Sequence, residues 1–523
     1  MDRTAESNAT HSPRNPAALH SDTMHLSLTR PFTAPRYFLA VTTALLLTLT
    51  GCARGPQAPD LGGLYNQAAQ FYDADRTPVI VIPGILGSKL RDADGTLVWG
   101  AFTGELVNPN TADGARRIAL PMRPGTPLDQ LTDDVRPDGA LDTLRISLGV
   151  LRLNITAYAD ILATLGVGGF RDQLLGMRAI DYGDAHFTCF QFDYDWRRSN
   201  AENAAKLHDF ILEKKAFVES ELETRFGVQR DVKFDIVAHS MAGLVTRYYL
   251  RHGNQPLGDT GPLPELNWAG AEHVRRAILV GTPNLGSIFA LEDLTQGSKL
   301  SVILPRYDPA LLGTMPGVYQ LLPRQADAVL LPPTETNNGS VLPTHFGLDP
   351  LDPEVWAQYG WGLLDPDQDR VLQHLLPDAP DRAARLAIAQ DHLAKALNNT
   401  RRFQQSLDRP AKRPASLDLR LFAGDAVPTA TAARIDPAGR VTLINEQPGD
   451  ATVARYSALA DTRQGDPPDA FRPLVRSPID WAAVYFLFTD HLGLTRDPAF
   501  ADNVLYLLLD APPPGRDPVG EGD

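Results

Sequence analysis

Ser240 stands in Asp235-Ile236-Val237-Ala238-His239-Ser240-Met241-Ala242-Gly243-Leu244, where an apolar run leads straight into a serine. Small residues, Ala238 and Ala242, lie two before and two after it, and apolar residues at helical spacing follow (Leu244, Val245, Tyr248, Tyr249). A strand turning sharply into a helix through a serine suits nucleophilic attack on a carbonyl. So tight a turn admits only small flanking side chains, lifts the hydroxyl clear of the backbone and faces helix N–H groups toward the reacting oxygen. The commonest form has glycine at both flanking positions. Here alanine meets the same steric limit, and Gly243 comes one residue later. A serine that merely caps a helix after a strand would fit the same residues. His239 points away from its neighbour on such a turn and reads as packing, not as the base.

A nucleophilic serine needs a base, the base an orienting acid, and the oxyanion hydrogen-bond donors. When the serine sits on a strand-to-helix turn of a parallel sheet, acid and histidine follow it in that order. His491 is the one histidine after residue 450, in Thr489-Asp490-His491-Leu492 behind the apolar stretch 482–488. Two acids compete. Asp425 follows the strand-like Leu421-Phe422-Ala423-Gly424, and Asp450 lies in the turn Pro448-Gly449-Asp450-Ala451-Thr452-Val453. Aspartate also favours turns and caps, so position alone leaves both open.

The elements that must position these residues alternate in type. Residues 78–83 are apolar throughout, as in a strand buried in a parallel sheet. Further strands are expected at 186–192, 232–237, 276–281 and 417–422. A helix is expected at 203–226, with Leu207, Phe210, Ile211, Val218 and Leu222 on one face and Gly227 as its stop. This alternation predicts a mostly parallel α/β sheet. Residues 88–180 and 288–415 are too long for ordinary connections, so they read as excursions over the active-site end. Asp365-Pro366-Asp367-Gln368-Asp369 starts like a calcium loop, but Arg370 and Leu376 replace the required glycine and glutamate, leaving a solvated turn. No His/Cys cluster has zinc spacing.

The chain has 523 residues, 43% hydrophobic, with net charge −14 and no basic run, which argues against a nucleic-acid partner. Two cysteines offer no disulfide framework. Arg30 and Arg36 precede an apolar run, Phe38 to Thr50, too short to span a bilayer. It ends in Leu49-Thr50-Gly51-Cys52, which resembles the lipobox of bacterial lipoproteins. That resemblance implies cleavage before Cys52, acylation of its thiol and new amine, and a membrane anchor in the cell envelope. Ala53 at the next position points to the outer membrane of a Gram-negative bacterium. Residues 1–23 are polar and precede the positive flank, so Met24 is an alternative start.

Five segments in order then resemble the lecithin:cholesterol acyltransferase family, which includes lysosomal phospholipase A2 and phospholipid:diacylglycerol acyltransferases. They are Pro83-Gly84-Ile85-Leu86-Gly87-Ser88-Lys89-Leu90, Asp193-Tyr194-Asp195-Trp196-Arg197, the Ala238–Met241 turn, Gly281-Thr282-Pro283-Asn284-Leu285-Gly286-Ser287 and Gly449-Asp450-Ala451-Thr452-Val453. The resemblance spans roughly residues 78–510. It implies an α/β-hydrolase fold with lid and cap insertions, and a Ser240, Asp450 and His491 catalytic set. It favours Asp450 over Asp425, although Ala451 replaces the family's second glycine. It assigns the oxyanion donors to the backbone N–H groups of Ile85 and Met241. It places a membrane-contacting lid at 88–180, where Trp99 is either an interfacial anchor or core, and gives Asp195–Arg197 a structural role.

The expected organisation is a signal segment (1–51), lipidated Cys52 and tether (52–76), first core part (77–290) carrying the lid insertion, cap (291–415), second core part (416–511) and tail (512–523). The expected activity is O-acyl transfer from a lipid ester, such as a phospholipid, to an alcohol or water. Alternatives are a lipase or phospholipase, and a non-catalytic lipoprotein on a hydrolase scaffold. Neither cofactor nor metal is implied.

Overall fold

Short runs rich in Val, Ile, Leu and Phe form a six-stranded sheet, because side chains buried on both faces leave no polar alternation. The computed structural model describes residues 58–511 except 72–73, 101–106, 142–143, 149–150, 156, 184–185, 300–304, 325–328, 332–347 and 464–474. The signal segment, Met24, Cys52 and the tail lie outside the described residues.

The strands in chain order are β1 (Val79–Ile82), β2 (Ser88–Arg91), β3 (Leu97–Trp99), β4 (Arg136–Ala140), β5 (Leu144–Leu148), β6 (Leu151–Ile155), β7 (Cys189–Gln191), β8 (Phe234–His239), β9 (Val274–Val280), β10 (Val329–Leu331), β11 (Asp418–Gly424), β12 (Val427–Ile435), β13 (Val441–Gly449) and β14 (Ala483–Leu487). The central sheet runs β14-β11-β9-β8-β1-β7, with every pair parallel. After β1 the chain crosses to β7 on one side, returns to β8 on the other and then builds outward. This reversal between β1 and β8 is a topological switch point, which opens a crevice at the carboxyl ends of the strands. The arrangement is that of an α/β-hydrolase.

Helices cover the sheet. Asn200–Phe226 begins at Ser199, whose hydroxyl accepts from the Ala201 N–H, and stops at Gly227 with φ 66°. Ala242–His252 follows the serine turn and is buried along its whole length. Ala157–Val167 falls within the interval read as an excursion, yet it packs on the sheet. Tyr158, Ile161 and Leu165 share a core cluster with Val79 and Val81, and with Phe500, Val504 and Leu508 of the Pro498–Leu509 helix. Their i, i+3, i+7 spacing is that of a core-facing helix. The segment read as a tether is also partly docked. Tyr65 is buried, and its hydroxyl donates to Asp502 Oδ1 at 2.8 Å.

The long intervals contain their own elements. The antiparallel sheet β3-β2-β4 and the hairpin β5–β6 fall in residues 88–180. The helices Ile288–Gln296 and Arg382–Asp408 frame the second interval. A further sheet, β10-β12-β13, carries the Asp450 turn at the end of β13. Among the described residues no helix is long and apolar enough to cross a membrane.

Candidate active site

Ser240 lies between β8 and the Ala242–His252 helix with φ 57°, a left-handed conformation costly for any residue with a Cβ. The turn is pinned by the Ser240 N–H, which donates to the Val280 carbonyl at 2.7 Å. Gly243, one place later than the usual pattern, has its own reason. A Cβ there would come within 1.9 Å of Thr282 Oγ1, so glycine lets the helix close against the Gly281-Thr282 turn after β9. Gly84, after β1, serves the other side. A Cβ there would approach Ser240 Cβ to 2.8 Å.

The three side chains expected from the sequence meet in one line. His491 Nε2 lies 2.9 Å from Ser240 Oγ, and His491 Nδ1 lies 2.8 Å from Asp450 Oδ2. With Nδ1–H donating to the carboxylate, Nε2 is left to accept from the serine hydroxyl. Asp450 is buried, and its Oδ1 accepts from the N–H groups of Thr452 (3.0 Å) and Val453 (2.7 Å). The His491 N–H donates to the Asp450 carbonyl at 2.8 Å, so acid turn and histidine loop are tied twice. Asp425 faces elsewhere and pairs with Arg455 at 3.3 Å. Ala451 has φ 71°, a conformation that glycine adopts without strain.

His239 is buried behind this line. Its ring centroid is 4.9 Å from that of His491, and its Nε2 donates to the His491 carbonyl at 3.2 Å. Burial, and then the neighbouring His491, hold its pKa down at about 3, so it stays neutral and packs, as expected from the sequence.

Gly84 and Ile85 turn against Ser240 at the cavity wall. Among the described residues neither the Ile85 nor the Met241 N–H has an acceptor. Two unpaired donors beside a nucleophile are what a developing oxyanion requires.

Ser240 and His491 open into a cavity of about 480 Å³ with mostly apolar walls, including Ile85, Leu86, Phe289, Met315, Val318 and Leu321. Trp99 lines it too. It is only 4% exposed, packs edge-on against Trp196 and Tyr307, and donates its indole N–H to the Leu86 carbonyl at 2.8 Å. It is therefore a wall of the cavity. This overturns the alternative of an interfacial membrane anchor at Trp99, because the ring is buried and its indole N–H is engaged inside. Asp195 and Arg197 form a buried ion pair at 2.8 Å, joined by Asp133 at 2.8 Å. They brace the segment that carries Trp196 and do not reach Ser240.

Sequence reasoning missed Asp293. It follows Phe289 by four places on the Ile288–Gln296 helix, and both line the cavity. Burial raises its pKa to about 6; a Ser298 hydrogen bond lowers it and Glu292 adds to the rise. A carboxyl four residues after a phenylalanine on an amphipathic helix was the available signal. Among the described residues no group of three or more His, Cys, Asp or Glu side chains is placed to hold a metal ion.

Residues 177–345 match the family model for lecithin:cholesterol acyltransferase. That segment contains Ser240 and the Gly281–Ser287 turn, while Ile85, Asp450 and His491 lie outside it. No curated protein matches the chain. Among solved structures, the chain is similar to a chain of the Tle4–Tli4 complex, at 15% identity over 83% of this chain and 98% of that one, with a TM-score of 0.49. It is also similar to lipase 1 from Pelosinus fermentans, at 13% identity over 84% of this chain and 99% of that one, with a TM-score of 0.32.

Proposed function

From the match of residues 177–345 to the lecithin:cholesterol acyltransferase family and the geometry at Ser240, we propose that the chain is a lipid O-acyltransferase. In this reading it cleaves a lipid acyl ester, such as that of a phospholipid, through an acyl-Ser240 intermediate and passes the acyl group to an alcohol or water. The observation that carries the reading is the hydrogen-bonded line Ser240–His491–Asp450 opening into an apolar cavity.

Ser240 Oγ attacks the ester carbonyl while His491 Nε2 takes its proton. Asp450 holds Nδ1–H and offsets the charge of the imidazolium, without itself taking the proton. The oxyanion accepts from the Ile85 and Met241 N–H groups, each donor of this kind contributing on the order of 10²–10³ in rate. Collapse expels the alcohol portion of the lipid, protonated by His491. An acceptor hydroxyl then loses its proton to His491 as its oxygen attacks the acyl-serine, and Ser240 is restored. The apolar walls suit an acyl chain, whose burial contributes about 0.8 kcal/mol per methylene.

Water as sole acceptor, hence a lipase or phospholipase, uses the same residues. Product analysis separates the two. Labelled phospholipid is incubated with and without a long-chain alcohol. An acyl ester of the alcohol supports transfer, free fatty acid alone supports hydrolysis, and no product in either arm defeats both. Cys52, acylated after cleavage of the segment before it, is the proposed anchor to the cell envelope, with the outer membrane as its proposed location.

A further inference from the structure

The loop that carries Ile85 is held in a strained turn. The Gly87 N–H donates to the Gly84 carbonyl at 3.0 Å, closing a β-turn with Ile85 and Leu86 at its centre. Leu86 has φ 64° while Ile85 does not share a positive φ. That is a type II turn, whose third position calls for glycine. A leucine there is strained, and a relaxed turn would reorient the peptide beside Ile85.

The surroundings hold the carbonyls of this loop. The Leu141 N–H donates to the Gly87 carbonyl at 2.7 Å, and the Trp196 indole to Ser88 O at 3.3 Å. The Leu86 carbonyl itself accepts the Trp99 indole N–H at 2.8 Å. This bond lies at the strained residue, and Trp99 is braced for it by Trp196 (centroids 5.5 Å apart) and Tyr307 (5.8 Å). We propose that Trp99 is a positioning residue for the oxyanion loop: its indole N–H keeps Leu86 left-handed and so holds the whole Gly84–Gly87 turn, with the Ile85 N–H in it, in its place against Ser240. The inference rests on the reading of Ile85 as an oxyanion donor.

The test is a double-mutant cycle in kcat and KM on a short-chain p-nitrophenyl ester, with Ser240→Ala as the blank. Trp99→Phe keeps an aromatic ring, though a smaller one, and loses the donor. It is expected to lower kcat roughly tenfold with KM nearly unchanged, the size of one net hydrogen bond. With Leu86→Gly in both chains, glycine holds the left-handed turn unaided, and the Trp99→Phe penalty is expected to fall below about threefold. A penalty equal in both backgrounds, or none in either, overturns the clamp while leaving the proposed function standing. Thermal melts of all four chains expose a mere loss of packing, which would lower stability and kcat alike whatever residue occupies position 86. Wild type no faster than the Ser240→Ala blank would instead overturn the proposed function, and the clamp with it.

Discussion

At Ser240 a strained turn holds the hydroxyl 2.9 Å from His491 Nε2, with the Ile85 and Met241 N–H groups nearby. Ser240→Ala is expected to abolish ester turnover with little change in the melting temperature, because it removes no core volume. Loss of a triad member costs on the order of 10⁴-fold or more. A fluorophosphonate probe that still labels the variant would move the nucleophile elsewhere. Asp450→Asn is expected to cost orders of magnitude in kcat, and Asp425→Asn little, since Asp425 pairs with Arg455 instead. Asp293 has a different signature. Its pKa is raised from 3.8 to about 6 mainly by burial, so the folded state favours the neutral acid. Its contribution is present in full below pH 3.8 and lost as pH rises through 6, a loss of about 3 kcal/mol by pH 8. Asp293→Asn is expected to raise stability at pH 8 and not at pH 3.5. Denaturant melts at the two values check this, and an equal gain at both would show that the effect is not titration.

At the scale of elements, the site depends on how closely the Ala242–His252 helix meets the turn after β9. Gly243 leaves room for Thr282 and no more. Gly243→Ala is expected to destabilise by about 1–3 kcal/mol, as overpacking of a filled interior does. Thr282→Ala in the same chain should recover part of that loss. An additive pair, measured by urea denaturation, would mean that the two residues do not press on one another. The β11–β14 pair brings Gly424 beside the His491 loop, and the Asp450 turn after β13 packs so closely on Gly424 that a Cβ there would come within 2.5 Å of Asp450 Cβ; the His491 N–H and the Asp450 carbonyl then join turn and loop.

For the whole molecule, the switch between β1 and β8 places the Ile85 loop and Ser240 side by side, and the Ile288–Gln296 helix and the segment 305–324 wall the cavity above them. An enzyme with the proposed lipid-ester activity would gain from being held near its substrate. Cys52→Ser is expected to abolish palmitate labelling and membrane retention, with short-chain ester turnover by the folded part unchanged. Two or three acyl chains at about 0.8 kcal/mol per buried methylene make a lasting anchor. Wild-type chain without the label would leave an enzyme held by no lipid.

Much of this was legible in order of residues. The serine turn, the buried parallel strands and the Gly227 stop follow from local sterics and short-range periodicity, which act over a few residues, whereas the preference for Asp450 comes from the resemblance of five ordered segments to a known family. What the tertiary structure decided is of longer range. Asp450 meets His491 across 41 residues, and Ser240 meets it across 251, so their distances depend on sheet order rather than on any local pattern. Trp99 is apolar with a polar tip, equally suited to a membrane surface or to a core. Only the neighbours that β2, β3 and the Trp196 segment bring to it make it a cavity wall. Tyr65 and Ala157–Val167, read as tether and excursion, are held by partners hundreds of residues away, Tyr65 by the Asp502 carboxylate and the helix by the apolar side chains of Phe500, Val504 and Leu508. The left-handed Leu86 and the burial-raised pKa of Asp293 belong to the same class, because strain and desolvation are properties of the surroundings, which no single stretch of chain contains.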